Sequence, residues 1–148
     1  MPYDYRATRR VEFADTDTAG VVHFSAFFRY MEEAEHAFYR SLGGSAFVWT
    51  PEEVVGMPRV SAHCEYRLPL HYADEIEVHL TVVEKTSRSL RYEASFRRLD
   101  GSTTVQVARG GMTVVFASRT HGTRDWAATV LPAGLAEHIE VAPAASDS

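Results

Sequence analysis

The chain has 148 residues, of which 45% are hydrophobic and 24% are charged. This length is typical of one domain with its own core, and the ordinary composition excludes a fibrous or wholly disordered protein. The formal net charge of −5 disfavours binding to the nucleic-acid backbone, and no apolar run approaches the roughly 20 residues that span a bilayer. A lone Cys64 and a first segment without an apolar core predict a cytoplasmic protein without a signal peptide. We therefore expect one domain over residues 1–148 that inserts in no membrane.

A short strand, a loop and a long helix are predicted first along the chain. Residues 8–14 alternate weakly between polar and apolar side chains, which predicts a strand, and residues 15–20 are dense in turn formers. Between residues 25 and 42 apolar positions recur every three or four residues, which predicts a helix with Ser25 as its N-cap and Gly43-Gly44 as its end. The apolar stripe consists of Phe27, Met31, Ala34, Phe38 and Leu42, and the polar side includes Glu32, Glu33 and Glu35.

Four further strand-like runs follow a connection over residues 47–58. Each run alternates apolar with polar side chains, as a strand with one buried face does. Gly110-Gly111 is expected to form a bulge or bend in the last run. The runs cover residues 60–68, 76–82, 90–96 and 105–116, with turns at residues 86–89 and 100–101.

The order of these elements predicts an α+β fold. A wide apolar stripe on one long helix needs a large surface, and an antiparallel β-sheet of about five strands provides it. The core is expected over residues 8–118, and a short helix is predicted over residues 133–139. Residues 140–148, rich in Ala, Pro and Ser, are expected to form a flexible tail.

The loop at residues 15–20 is the segment best suited to chemistry. The seven histidines lack a metal-binding spacing, so we expect no metal site, and Cys64 falls in a strand, where a buried packing role is expected. Asp15 and Asp17, by contrast, come directly before a helix, whose first N–H groups can stabilise an oxyanion while a carboxylate acts as nucleophile or base. On this pattern alone, both aspartates could instead cap local turns.

Residues 11–24, with the sequence VEFADTDTAGVVHF, closely resemble the signature of the 4-hydroxybenzoyl-CoA thioesterase family. These are acyl-CoA thioesterases with a hotdog fold, and they include the YbgC-like and 1,4-dihydroxy-2-naphthoyl-CoA branches. The helix over residues 27–40 and the segments GMPRVS (residues 56–61) and YADEIEV (residues 72–78) are also similar to that family. The resemblance covers residues 8–118 and implies the hotdog fold.

The resemblance also implies roles for residues in the loop. Asp17 is expected to be the catalytic carboxylate, as nucleophile or general base, and the backbone N–H of Phe24 is expected to contact the thioester carbonyl. Gly20 and Val21 would shape the loop, and Asp15 would organise it. No metal or prosthetic group is implied, since coenzyme A is part of the substrate.

Substrate contacts are implied outside the loop as well. Arg88 matches a position where such enzymes carry basic residues for the CoA phosphates, and Lys85 and Arg59 could assist it. Phe27 and Met57 are expected among the residues that line the acyl pocket. Either an aromatic or a short- to medium-chain acyl group would suit that pocket.

His23 is a weaker catalytic candidate. Some YbgC-like members have a Tyr where this chain has Phe13 and a His where it has Phe24. The histidine of this chain lies one position earlier, so the resemblance does not carry a catalytic role over to His23. The 4-hydroxybenzoyl-type pattern, which needs no histidine there, fits better.

The resemblance finally implies a homodimer joined sheet edge to sheet edge, with the active site between subunits, and a tetramer of two dimers.

Two other functions stay open. One is a thioesterase for acyl groups on acyl carrier protein, for which Arg59, Lys85, Arg88 and Arg91 would supply a basic rim. The other is a hotdog module that binds acyl-CoA without hydrolysing it. A hotdog dehydratase fits less well, because such enzymes rely on a His/Asp or His/Glu pair in a different motif.

Overall fold

The structure, a computed structural model, describes residues 2–44 and 47–144. The helices are α1 (Ala26–Ser41) and α2 (Ala133–Ala136). The strands are β1 (Asp4–Arg10), β2 (Val48–Trp49), β3 (Glu53–Gly56), β4 (Arg59–Tyr66), β5 (Glu75–Lys85), β6 (Ser89–Asp100), β7 (Thr103–Val115), β8 (Ala117–Thr120) and β9 (Ala127–Ala128). The main sheet is antiparallel with the order β1-β5-β6-β7-β4, and the smaller sheet has the order β2-β3-β8-β9. One long helix on a five-stranded antiparallel sheet is the predicted α+β fold.

Helix α1 packs on the main sheet through the predicted stripe. Phe27, Met31, Ala34 and Phe38 are at most 3% exposed, and Leu42 packs against the same cluster. Alternate residues of β5 and β6 enter this core from the other side, which confirms both periodicities. The buried sheet residues are Ile76, Val78, Leu80 and Val82 on β5, and Leu90, Tyr92, Ala94 and Phe96 on β6.

The ends of α1 lie where the sequence predicts them. Ser25 holds the N-cap position, but its side chain makes no capping hydrogen bond to the helix, because its Oγ pairs with Nδ1 of His23 at 2.7 Å. At the other end Gly43 has a φ of +76°, a left-handed conformation that glycine adopts without a steric penalty.

The first strand begins and ends earlier than residues 8–14. In β1, Tyr5 and Ala7 pack against the core, so the inward-facing positions start well before residue 8. Val11 is fully buried and exchanges backbone hydrogen bonds with residues 73–74, after which Phe13–Asp15 forms a 3-10 turn. Both predicted boundaries of this strand are therefore wrong, each lying four residues too far along the chain.

The predicted bulge at Gly110-Gly111 is wrong. Both glycines pair regularly with β4 and β6, and the register shifts of these ladders lie elsewhere. A Cβ on Gly110 would lie 2.5 Å from the carbonyl oxygen of His63, and a Cβ on Gly111 would lie 2.7 Å from that of Tyr92. The neighbouring backbones approach so closely that only glycine fits between them.

The smaller sheet was not foreseen. The connection over residues 47–58 contains β2 and β3, and β3 pairs with β8, which follows directly after β7. These strands are only two to four residues long, too short for periodicity to identify them.

The end of the chain is partly ordered against the main sheet. Helix α2 ends at Ala136, three residues before the predicted end. Of the predicted flexible tail, residues 145–148 lie outside the described residues. Before them, the N–H of Glu140 donates to the carbonyl of Pro2 at 3.0 Å and that of Ala142 to the carbonyl of Val82 at 2.8 Å. These two bonds connect residues 140 and 142 to the start of the chain and to β5.

Strand β4 forms one edge of the main sheet, and its apolar side chains are largely exposed. Val60 is 62% exposed, Tyr66 is 44% exposed, and Leu68, just beyond the strand, is 43% exposed. Cys64 is half-buried rather than fully buried, and this burial raises the pKa of its thiol. The sequence pattern correctly predicted an apolar face on this strand but wrongly predicted that the face is buried in the core.

Candidate active site

The loop between β1 and α1 is compact and closed by its own backbone. The N–H of Asp17 donates to the carbonyl of Val21 at 2.9 Å, and the N–H of Gly20 donates to the carbonyl of Asp17 at 3.0 Å. Gly20 has a φ of +83°, so this tight turn depends on a residue without a Cβ. Val21 in turn bridges to His71, which ties the loop to the segment before β5.

The carboxylate of Asp17 is exposed and lightly engaged. Its Oδ1 accepts the N–H of Ala19 at 2.8 Å, which fixes the side chain in a local turn. Among residues 2–44 and 47–144, no cation pairs with it and nothing donates to Oδ2. One carboxylate oxygen is thus oriented by the loop while the other is available to a ligand.

The start of α1 offers an unpaired backbone N–H beside that carboxylate. The N–H of His23 donates to the carbonyl of Asp15 at 2.8 Å, and the N–H of Ser25 donates to Nδ1 of His23 at 3.3 Å. Between them, the N–H of Phe24 has no acceptor in the part of the chain that the structure describes. Unpaired N–H groups at a helix start are suited to binding an oxyanion.

Asp17 and Phe24 line the same groove, which has a volume of about 370 Å³. Its other walls come from the loop, from α1 and from the chain that leaves β4, and they are mostly apolar. On the other side of Asp17 lies an open depression of about 500 Å³, bordered by Phe13, Gly20 and Tyr72. The residues of the groove are Asp17, Val21, Val22, Phe24, Phe27, Tyr66, Arg67, Leu68, Pro69 and Leu70.

Asp15 is buried, in contrast to Asp17, and is held by several donors. Its carboxylate accepts the N–H of Glu12 at 3.0 Å, Nη2 of Arg9 at 3.1 Å and Nη2 of Arg29 at 3.0 Å. Burial alone would raise its pKa, but these hydrogen bonds and the charge of Arg9 outweigh burial and hold the pKa of Asp15 below its usual value. Asp15 therefore joins the loop to β1 and to α1.

His23 caps the helix. Its Nδ1 accepts the N–H of Ser25 and pairs with the Oγ of the same residue, so that nitrogen carries no proton in this arrangement. Its ring also lies against that of Phe24, with 4.5 Å between centroids.

Of the predicted substrate-binding residues, Val21 and Phe27 line the groove and Gly20 borders the depression on the other side of Asp17, whereas Met57, Arg59, Lys85 and Arg88 lie at neither. The last four lie at the opposite end of the sheet. Lys85 and Arg59 are level with each other, as the pairings Lys85–Leu90, Leu90–Val114 and Val114–Arg59 require. At about 3.3 Å per residue, the 11 residues of β5 separate this end from the loop by roughly 30 Å.

Two of these distant cations already have partners. Nη2 of Arg59 donates to Oε1 of Glu35 at 2.6 Å, and Nζ of Lys85 donates to the carbonyls of Ala136 and Ile139 at 2.6 and 2.8 Å. Met57 is buried in the core, and Arg88 is exposed in the turn after β5.

Glu35 departs from its predicted place on the polar side of α1, because it is fully buried. Besides Arg59, it accepts the hydroxyl of Tyr39 at 3.0 Å, and Tyr39 is hydrogen-bonded to Tyr92. Burial raises the pKa of Glu35 to about 7, although Arg59 and Tyr39 lower it in part.

Besides Val22, five residues of the groove were missed, namely residues 66–70. Their alternation predicts a strand, which is correct up to Tyr66, but nothing local indicates that the following segment turns toward the loop. It does so through the hydrogen bond from the N–H of Val22 to the carbonyl of Leu70, at 2.8 Å. Such a pairing between distant segments leaves no periodic signal in the sequence.

No group of three or more potential metal ligands occurs in the described part of the chain. No described helix is long and apolar enough to cross a membrane.

A family model described as the thioesterase-like superfamily matches residues 11–139. A protein of Aquifex aeolicus (strain VF5) that is named as an esterase is 46% identical over 86 residues, which are 57% of this chain and 63% of that protein. A 1,4-dihydroxy-2-naphthoyl-CoA hydrolase of Parasynechococcus marenigrum (strain WH8102) is 34% identical over 79 residues, which are 49% of this chain and 52% of that protein. The chain thus spans less than two-thirds of the length of both curated relatives.

Among solved structures, a variant of 4-hydroxybenzoyl-CoA thioesterase in complex with 4-hydroxybenzoyl-CoA has a TM-score of 0.74 to this chain. The alignment covers 89% of this chain and 95% of that one, at 21% identity. At such an identity the likeness concerns the fold, and it agrees with the hotdog arrangement that the motif implied.

Proposed function

The chain belongs to the thioesterase-like superfamily, and from this premise we propose that it hydrolyses the thioester of an aromatic or short- to medium-chain acyl-CoA to the free acid and CoA. The observation that carries the proposal is the shared groove of the Asp17 carboxylate and the unpaired Phe24 N–H. The substrate class is supported by a relative and a structural neighbour, which are named for aromatic acyl-CoA thioesters.

The proposed reaction uses groups of the chain alone. Asp17 attacks the thioester carbonyl carbon or activates a water molecule that does so, and an exposed carboxylate held by one N–H is compatible with both routes. The carbonyl oxygen becomes an oxyanion, which the Phe24 N–H stabilises, and one such donor commonly contributes about 10²–10³ in rate. When the carbonyl re-forms, the C–S bond breaks and the CoA thiolate leaves. In the nucleophilic route, water then hydrolyses the acyl anhydride on Asp17 to give the free acid and the Asp17 carboxylate; in the water route, Asp17 takes the proton of the attacking water and passes it to the leaving thiolate. No metal or prosthetic group takes part.

The neighbouring residues support this geometry. Gly20 and Val21 close the turn that presents Asp17, and Phe27 supplies an apolar wall for the acyl group. We assign His23 to capping rather than catalysis, because its Nδ1 is already engaged with Ser25.

A homodimer through the β4 edge completes the proposal. The unpaired edge of β4 and its exposed Val60 and Tyr66 suit pairing with a second copy. Antiparallel pairing along the whole strand would place Arg59 of one subunit beside Tyr66 of the other. The end of the sheet that carries Met57 and Arg88 would then meet the partner's groove. This would explain why those predicted contacts lie far from Asp17 within one subunit.

A tetramer of two such dimers, in the cytoplasm, is the assembly and location we infer. Light scattering should return about 33 kDa or a multiple of it, twice the 16.6 kDa of one chain. A value near that of one chain at micromolar concentration would contradict the edge-to-edge dimer.

The test is thiol release from a panel of aromatic, short-chain and long-chain acyl-CoAs. Wild type and Asp17→Asn are assayed together, with Asp125→Asn as the matched control, because Asp125 is exposed and far along the chain from the loop. Turnover by wild type and the control, but not by Asp17→Asn, is expected. Equal turnover by all three would refute the role of Asp17, and saturable binding without thiol release would indicate a binding module instead.

The acyl carrier protein alternative is less well supported. It needs a free basic rim, but Arg59 and Lys85 are engaged with Glu35 and with backbone carbonyls, and Arg91 lies 3.4 Å from Glu84. Comparing rates for one acyl group carried by CoA and by carrier protein separates the two substrates.

A further inference from the structure

Tyr66 makes a contact that the proposed reaction has not yet used. It is the last residue of β4, and its hydroxyl donates to the carbonyl of Phe24 at 2.8 Å. Its ring meets that of Phe27 edge to face, with 5.0 Å between centroids. A single side chain on the sheet edge therefore touches two residues at the start of α1, and all three line the groove with Asp17.

The contact is not explained by core packing. Tyr66 is 44% exposed and Phe24 is 62% exposed, so neither residue belongs to the buried cluster under α1. Partial burial, with Cys64 nearby, raises the pKa of Tyr66 to about 12, so the hydroxyl stays a donor at neutral pH. The carbonyl it binds belongs to the residue whose N–H is left unpaired.

The segment from His23 to Ser25 is restrained on both sides of that N–H. The N–H of His23 is bound by the carbonyl of Asp15, and the N–H of Ser25 is bound by the ring of His23. The carbonyl of His23, which belongs to the same peptide group as the Phe24 N–H, accepts the N–H of Ala26 at 2.9 Å, and the carbonyl of Ser25 accepts that of Phe28 at 3.2 Å. The hydroxyl of Tyr66 adds a restraint on the carbonyl of Phe24, and this restraint comes from the sheet, whereas the others come from the loop, the helix and the segment itself.

We propose that Tyr66 is a positioning residue for the oxyanion donor: its hydroxyl fixes Phe24 at the groove and thereby restrains the orientation of the free N–H of that residue. The proposal rests on the proposed thioesterase reaction. It adds a link from the edge of the sheet to the reacting carbonyl, made by an atom that itself contacts backbone rather than substrate.

The expected effect is on the transition state. The oxyanion needs its donor within about 2.7–3.1 Å, whereas the ground-state carbonyl binds a misplaced donor almost as well as a placed one. Losing one restraint therefore lowers kcat more than it changes KM. Because one net hydrogen bond is removed, we expect a loss of about 3- to 10-fold in kcat.

The experiment compares Tyr66→Phe with wild type on the best substrate of the acyl-CoA panel. The change removes only the hydroxyl and keeps the ring against Phe27. Tyr3→Phe is the matched control, because Tyr3 is also exposed and lines neither the groove nor the depression beside Asp17, and its hydroxyl has no hydrogen-bond partner among the described residues. The control should keep kcat and KM within about twofold.

A second measurement separates positioning from a general loss of structure. Calorimetric titration with 4-hydroxyphenacyl-CoA, which keeps a carbonyl but has no thioester, is compared with titration of 4-hydroxybenzyl-CoA, which lacks the carbonyl. Because both ligands resemble the ground state and carry no oxyanion, Tyr66→Phe should bind each of them about as tightly as wild type does, with an unchanged thermal midpoint.

Each outcome supports or overturns either the role of Tyr66 or the proposed function itself. Unchanged kcat in Tyr66→Phe overturns the proposal, and so does equal weakening for both ligands, since that would reflect damage to the groove as a whole. If wild type releases no thiol from any acyl-CoA, the proposed function itself fails and the positioning role falls with it. If wild type is active and Asp17→Asn is not, while Tyr66→Phe is normal, the thioesterase reading stands and only the role of Tyr66 is lost.

Discussion

Asp15 and Asp17 lie two residues apart, yet their surroundings differ in almost every respect. Asp15 is 3% exposed and accepts hydrogen bonds from two arginines and one backbone N–H. Asp17 is exposed and accepts one backbone N–H, with one oxygen left for a ligand. A buried carboxylate with three donors can hold a loop together, but it is not accessible to a substrate. This difference supports our proposal that Asp15 organises the loop and that Asp17 acts on the substrate.

The largest expected effect tests the chemical half of this comparison. Asp17→Asn keeps the acceptor for the N–H of Ala19 but removes the charge, so we expect turnover to fall by about 10³-fold or more with unchanged unfolding. Steady-state thiol release measures the turnover, and denaturant titration of the same samples measures the free energy of unfolding. If Asp17→Asn loses stability as well as turnover, Asp17 would have a structural role as Asp15 does, and the proposed difference between the two residues would be wrong.

A third carboxylate sharpens the comparison, because Glu35 is buried like Asp15 but its pKa shifts in the opposite direction, to about 7. It has fewer donors, so burial prevails. The raised pKa contributes stability that is fully present below the unfolded value of 4.5 and is lost as the pH rises through about 7. We expect the free energy of unfolding of wild type to fall by up to about 3 kcal/mol over this pH interval, and that of Glu35→Gln to show no such fall.

Denaturant unfolding of wild type and Glu35→Gln at several values between pH 4.5 and pH 8 measures this difference. A wild type whose unfolding free energy rises over the same interval would show that Arg59 outweighs burial after all. Asp15 supplies the opposite sign, since its lowered pKa contributes stability that is lost only as the pH falls below 3.8.

Asp15→Asn tests the structural half of the comparison. The variant removes the negative charge that Arg9 and Arg29 share and replaces one of its two acceptor oxygens by an NH₂ donor, and since both arginines are partly solvated we expect a loss of about 2 kcal/mol in unfolding free energy. Activity at a temperature where the variant is folded should fall far less than in Asp17→Asn. Comparable loss of activity in the two folded variants would show that the loop geometry depends on Asp15 as much as the chemistry depends on Asp17.

The smallest expected effect is the difference in stability between variants of the two arginines that bind Asp15. Arg29 is 55% exposed, so Arg29→Met should cost about 0.5–1 kcal/mol. Arg9 is 20% exposed and also lies 4.3 Å from the ring centroid of Tyr30, so Arg9→Met should cost more, about 1–2 kcal/mol. Chemical denaturation resolves the order, and an inverted order would mean that α1 rather than β1 anchors Asp15.

Much of the fold could be predicted because its signals are local. The stripe of α1 and the alternation of β5 and β6 follow from spacing alone, and Gly43 marks the helix end by its conformation. The sequence misleads where burial depends on a distant partner. Glu35 is a polar residue on α1 that is fully buried, and its partner Arg59 comes from β4, while its neighbour Tyr39 on the same helix is bound to Tyr92 of β6.

The candidate site divides in the same way. The motif brought attention to Asp17, Gly20 and Phe24, which are contiguous, and the structure brings these residues to one place. Tyr66 and the segment after it could not be found, because their place in the groove depends on a pairing with Val22 some 50 residues away. Spacing in the sequence carries no trace of such a contact.

The two glycines of β7 give the sheet a mechanical property. A Cβ at Gly110 would strike β4, and a Cβ at Gly111 would strike β6, so the three backbones are pressed together at one level with no side chain as a spacer. A joint this tight resists shear between neighbouring strands. Strand β4 cannot move along β7 at this level without moving β7 and β6 as well. A force applied to the far end of β4, at Tyr66, is therefore distributed over the whole sheet. Stiffness of this kind comes from what these two residues lack.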